Sequence, residues 1–171
     1  MRAADGSVPD EALEVQRLRR LVADHENVHF YVCQLDPERL SEHRELWGRD
    51  PSVTLDAFVA AIGLGYPGAR VERWDLLART QAQRLLSAVL QREQAYDAPR
   101  LELALAERIA SAFVELFEEQ ARFFTNGTVE ETPLGLRTNA WYGSVTLATF
   151  ETGVIAVDER RIGLLYLADE D

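Results

Sequence analysis

Apolar residues hold one helical period longest in residues 100–124. At 100° per residue, Leu101, Leu105, Ile109, Ala112, Phe113, Leu116, Phe117, Phe123 and Phe124 fall on one side. Leu103, Ala110, Val114 and Ala121 widen that arc to roughly half the circumference, beyond the stripe of a surface helix. The segment is therefore predicted to be a central helix, covered on two sides. Residues 69–94 repeat the period with Trp74, Leu77, Ala78, Ala82, Leu85, Leu86 and Val89, and Asp97, Ala98 and Pro99 form the turn between the two. Together they predict an antiparallel helical hairpin. Shorter helices are expected at 9–24, with Leu13, Leu18, Leu21 and Val22 inward, at 37–47, and from Thr54 as cap through Leu55, Phe58, Val59 and Ile62 to a stop at Gly63. Residues 28–35 fit two periods. Val28, Phe30, Tyr31 and Val32 favour a strand, while His25, Val28, Val32 and Leu35 continue a helical stripe.

Beyond Pro133 the period moves from 3.6 towards 2, which predicts three antiparallel strands at 143–150, 154–158 and 162–167. The turns are Glu151-Thr152-Gly153 and Glu159-Arg160-Arg161. With two three-residue loops, Val145, Leu147, Ile155, Val157, Leu165 and Leu167 share the face that sits on the hairpin. The opposite face carries Thr146, Ala148, Phe150, Val154, Ala156, Asp158, Ile162, Leu164 and Tyr166, too apolar for plain solvent surface. Its cover is expected from residues 9–47, a second copy or a partner. The fold class is α+β in one domain, 1–171: a frayed start at 1–8, a mainly helical 9–127, and a β-meander with an acidic end at 134–171.

Charge narrows the partners. With 29 Asp and Glu against 18 Arg and no Lys, the formal net charge is −11. Phosphate attracts basic surfaces, so nucleic acid and anionic membranes are disfavoured and a basic protein is favoured. The first residues carry no apolar leader, no run approaches a membrane span, and the single Cys33 cannot form an internal disulfide. These features lead to an expected place in the cytoplasm.

Four patterns carry candidate chemistry. His25-Glu26-Asn27-Val28-His29 fits H-E-x-x-H. On a helix it sets two histidines one turn apart for zinc and a glutamate that activates water. With Val22, Ala23, Phe30 and Tyr31 around it, the segment resembles that of zinc metalloproteases. The resemblance implies His25 and His29 as metal ligands and Glu26 as the catalytic residue; Glu38, Glu42, Glu45 or Cys33 would have to supply a third ligand, since His43 is too distant for metzincin spacing. Residues 63–68 spell G-x-G-x-x-G, but the apolar residues before them have helical spacing, so they are expected to stop one helix and start another. Glu72, Asp75, Glu115, Glu118 and Glu119 resemble the magnesium-binding pairs of all-α nucleotide pyrophosphohydrolases; a solvated acidic face, with Glu118 placed to pair with Arg122, is the expectation. Asp75 and Gln120 interrupt apolar arcs and need polar partners.

The expected function is that of an acidic, non-enzymatic protein-binding protein without a cofactor, such as an immunity, inhibitor or adaptor protein for a basic partner. Its expected contact residues are Phe150, Asp158, Ile162, Leu164 and Tyr166, with a homodimer as a further option. The alternative is a small zinc-dependent hydrolase built on residues 25–29.

Overall fold

Strands that are apolar on both sides need cover on both sides, and the last two strands of this chain have it. The structure, a computed structural model, describes residues 13–35, 51–64, 71, 73–93, 98–132, 135–141, 145–146 and 148–169. In chain order these contain α1 (Leu13–Val22), β1 (Val28–Gln34), α2 (Pro51–Ala61), β2 (Asp75–Leu77), α3 (Arg79–Gln91), α4 (Leu103–Glu115), β3 (Arg122–Thr125), β4 (Gly127–Thr132), β5 (Gly135–Trp141), β6 (Phe150–Val157) and β7 (Arg161–Asp169). Helix and sheet mix as α+β. One antiparallel sheet has the order β1-β7-β6-β3-β2, and β4 pairs with β5 in a second.

On one face of the large sheet, Phe30, Leu77, Phe123, Val154, Ala156, Leu165 and Leu167 pack with Leu85, Leu86 and Val89 of α3, Ile109 and Phe113 of α4, and Leu18 of α1. On the other face, Phe124, Ile155, Val157, Ile162, Leu164 and Tyr166 pack with Leu55, Phe58 and Val59 of α2, and with Val71, Trp74 and Val145. The Trp74 indole N–H donates to Asp56 Oδ1 at 3.0 Å and pins its segment to α2.

The division between faces differs from the expected one because the β6–β7 turn is one residue shorter. Val157 pairs with Ile162. The Asp158 N–H donates to Arg161 O at 3.0 Å, which leaves only Glu159 and Arg160 in the loop. Asp158 Oδ1 accepts the N–H of Arg160 and of Arg161, both at 2.8 Å, the local bonding that makes aspartate a turn former. A one-residue shift exchanges the faces of a strand, so Ile155 and Val157 join Ile162, Leu164 and Tyr166. Glu151-Thr152-Gly153 is no turn; all three lie within β6. Gly153 sits opposite Tyr166, where an added Cβ would come within 2.6 Å of the Tyr166 Cα and Cδ2. The glycine answers a close approach.

Both long helices are shorter than their periods suggest. Residues 75–77 form β2, so α3 begins at Arg79, and Ala78 N–H is held by Gln81 Oε1 at 2.9 Å. The expected helix over 100–124 ends at Glu115, and Phe123 and Phe124 lie in β3 on opposite faces. Arg79 explains where α4 stops. Its guanidinium donates to the carbonyls of Val114 at 2.8 Å, Phe117 at 3.2 Å and Glu118, and lies 5.1 Å from the Phe123 ring centroid. Carbonyls that a longer helix would use internally are taken by this cation. Residues 28–34 are a strand. Helix α2 begins at Pro51, an accepted first-turn residue, three residues before the expected cap Thr54. It ends as expected, with Gly63 at φ 71°. The expected strand over 143–150 has no extended pairing before Phe150 among the described residues, and the expected mainly helical 9–127 contains β1, β2 and β3. The helix expected at 37–47 and the frayed start at 1–8 lie outside the described residues. Among the described residues no helix is long and apolar enough to cross a membrane.

Phe113 sits fully buried where α4 meets the sheet, edge-on to Phe30 at 6.3 Å and to Phe117 at 5.4 Å between ring centroids. Phe113→Ala is expected to lower unfolding free energy by roughly 3–5 kcal/mol. Denaturant titration checks it, and a loss below about 1 kcal/mol would place the ring outside the main core.

Candidate functional site

The structure separates the residues of the H-E-x-x-H motif by local geometry. Two histidines at this spacing share a face only on a helix, and here α1 ends at Val22. His25 lies in a turn, donating its N–H to Val22 O at 3.1 Å and accepting that of Val28 at 3.0 Å. His29 lies in β1 opposite Tyr166, half-buried, and Glu26 is exposed before the strand. Burial lowers the His29 pKa below the ordinary value of 6.5. Cys33 is exposed near the end of β1. Glu38, Glu42, Glu45 and His43 lie outside the described residues, as do residues 65–68 of the glycine pattern.

The carboxylates grouped by spacing are also dispersed. Asp75 is on the edge strand β2 and pairs with Arg73 at 2.5 Å. Glu115 accepts the Ser111 hydroxyl at 2.7 Å on α4. Glu118 pairs with Arg160 at 2.9 Å, in place of the expected Arg122. Gln120 is exposed in the turn after α4, so it needs no buried partner. Glu72 lies outside the described residues.

Of the five expected contact residues, Ile162, Leu164 and Tyr166 are buried beneath α2, so the chain itself covers that face. Among the described residues the cover is α2 with Val71 and Trp74, and Tyr31 and Leu35 of the expected 9–47 segment pack against it; residues 9–12 and 36–47 lie outside the described residues. Phe150 starts β6 opposite Asp169, on the other face of the sheet. Asp158 is engaged internally: besides its own turn, its Oδ2 accepts the N–H of Glu118 at 3.0 Å.

A group that spacing did not reveal forms at the buried end of β6. Glu151, 2% exposed, accepts the backbone N–H of Val145, the N–H of Thr146 at 2.7 Å and the Thr146 hydroxyl. The Tyr166 hydroxyl lies beside Glu151, and the Asn126 side-chain amide donates to that hydroxyl at 2.7 Å. Burial, then the Glu151 charge and hydrogen bond, raise the Tyr166 pKa well above its ordinary value, and the Asn126 bond opposes them only in part. Asn126 Oδ1 and Thr125 Oγ1 are buried with no hydrogen-bond partner among the described residues. With both oxygens of the carboxyl engaged from within, the group holds the chain at 145–146 against the sheet. The one signal in the sequence is Glu151 beside apolar residues, in a segment whose Glu-Thr-Gly order reads as a turn. A second buried carboxylate, Asp169, pairs with Arg100 and accepts the Asn27 amide at 3.3 Å, while Arg100 also donates to Val89 O at 3.2 Å. It ties the end of β7 to α3 and to the start of β1.

Glu151→Ala leaves the N–H groups of Val145 and Thr146 without their acceptor. At roughly 1–3 kcal/mol for each buried orphan, the expected loss is about 3 kcal/mol or more, with Glu151→Gln losing less. A denaturant midpoint unchanged in Glu151→Ala would show that these bonds hold nothing. For His29 the folded state disfavours the proton, so its contribution to stability is present above pH 6.5 and declines as pH falls through that value. A melting-temperature profile from pH 8 to 5 is expected to be flatter in His29→Gln than in wild type; superimposable profiles would exclude His29 as the cause.

No family model, curated protein or solved structure matches the chain. What the site can do is therefore argued from these residues.

Proposed function

We propose that the chain is an acidic, non-enzymatic protein-binding protein, an inhibitor, immunity or adaptor protein for a basic partner. The observation that carries this reading is where the charge sits. Among the described residues the buried carboxylates are Glu151 and Asp169, and Asp169 is matched by Arg100. The remaining described carboxylates are half-buried or exposed, so among the described residues most of the carboxylate charge reaches solvent. A surface field of one sign attracts and orients a partner of the other sign.

Exposed Glu107 and Glu115 lie eight residues apart on α4, with exposed Glu119 in the turn after it. Two helical turns separate the first two, so they share one side of the helix. In this reading the paired α3 and α4 act as a rigid helical hairpin presenting these carboxylates, and the sheet is its support. The same charge disfavours nucleic acid. The backbone of residues 25–29 lends no support to the zinc hydrolase.

Chemical cross-linking of the native chain in its own cells, followed by binding of the purified partner, tests the reading. The partner is expected to be basic and to bind more weakly as salt rises. Combined Glu107→Arg, Glu115→Arg and Glu119→Arg is expected to leave the melting temperature intact and weaken binding about tenfold, given roughly 0.2–1 kcal/mol per surface pair and the added repulsion. Binding that ignores both salt and charge reversal would overturn the acidic-surface reading.

A further inference from the structure

Asn126 is the one asparagine of this chain that precedes a glycine; Asn27 precedes Val28 and Asn139 precedes Ala140. An asparagine in that position loses its side-chain amide without an enzyme. The backbone nitrogen of Gly127 attacks Cγ of Asn126, a C–N bond forms as the bond to Nδ2 breaks, and ammonia leaves with the proton of the attacking N–H. Water then opens the five-membered ring at either carbonyl and gives aspartate or isoaspartate. Glycine favours the step, because no side chain obstructs its nitrogen and its backbone turns freely.

The fold withholds what that reaction requires. Asn126 stands at the bend between β3 and β4, with Thr125 paired to Asp75 on one side and Gly127 paired to Trp141 on the other. Closing the ring needs rotation between Asn126 and Gly127, and ladders on both sides oppose it. Asn126 is 0% exposed, so the water that opens the ring has no access. Its Nδ2, the leaving group, is held by the Tyr166 hydroxyl at 2.7 Å.

We propose that Asn126-Gly127 is a deamidation site that folding shields and whose products do not refold, so that the chain carries a covalent record of time spent unfolded. Aspartate at 126 removes the donor to Tyr166 and sets a carboxylate at the hydroxyl beside which the buried Glu151 lies. Two carboxylates at close range in a low dielectric cannot both keep their charge without a large cost. No donor stands ready for the new charge, since Asn126 Oδ1 already has no hydrogen-bond partner among the described residues. Isoaspartate acts through geometry instead. It carries the backbone through the side-chain carbon and adds one atom to the main chain, at a joint where Phe124 keeps register with Ile155 in one sheet and Gly127 with Trp141 in the other.

The test ages the full chain at neutral pH, native and in denaturant above its unfolding midpoint, and follows residues 123–137, the stretch bounded by Arg122 and Arg137, by mass after cleavage at arginine. Loss of the amide at Asn126 is expected to be at least about tenfold slower in the native chain, where local opening sets the rate. Asn27, which precedes the branched Val28, is expected to keep its amide in both. The partly aged, denatured chain is then returned to buffer, and folded molecules are separated from unfolded ones by size. The folded fraction is expected to hold Asn126, and the unfolded fraction aspartate and isoaspartate. Asn126→Asp, made as such, gives the first product without any refolding step, and is expected to unfold at a lower denaturant concentration than wild type or not to fold. The proposal is overturned by equal rates of loss in native and denatured chain, by loss at Asn27 as fast as at Asn126, by modified molecules that enter the folded fraction in proportion to their number, or by Asn126→Asp with the midpoint of wild type.

Discussion

The structure depends on one constraint: β6 and β7 are apolar on both faces, and one layer of helices can cover only one of them. Leu165 and Leu167 face α3 and α4, while Ile162, Leu164 and Tyr166 face α2. Each layer buries aromatic and aliphatic side chains worth roughly 1.5–3 kcal/mol apiece when removed from water. Removing either layer would leave a strip of Val, Leu and Ile in solvent. α2 with Val71 and Trp74 is thereby recruited as a second cover, and Trp74 with Asp56 fastens it.

Polar side chains decide how the layers join. Arg79 ends α4 from the first residue of α3, and so sets where the chain leaves the helix for the sheet. Asp158 fixes the β6–β7 turn and holds the N–H of Glu118, linking that turn to the end of α4. Glu151 and Asp169 do the same at the other end of these strands. Each is buried or half-buried and fully engaged, as polar groups in low dielectric must be. These residues attract notice as chemistry and serve as joints. In the proposed function, what is left for a partner is the outer shell of carboxylates, which acts through charge.

By itself the sequence determined the class of fold, the existence of α1, α2, α3 and α4, the stop of α2 at Gly63, the strand character of β7, and the acidic surface. These follow from local pattern: period, punctuation and composition are properties of neighbouring residues. Tertiary structure decided the rest. Phe123 and Phe124 continue a helical wheel from Leu116 and Phe117, yet Arg79, 38 residues before Phe117, takes the carbonyls there and the chain extends into β3. Residues 28–34 fit helix and strand equally until β7 supplied a partner, and with that pairing the H-E-x-x-H spacing lost the helix on which its chemistry depends. The faces of β6 turned on a single residue of loop length, which Asp158 settled by its own hydrogen bonds. Hydrogen-bond partners distant in sequence leave no periodic trace in it, so the site they build could be read only after the chain had folded.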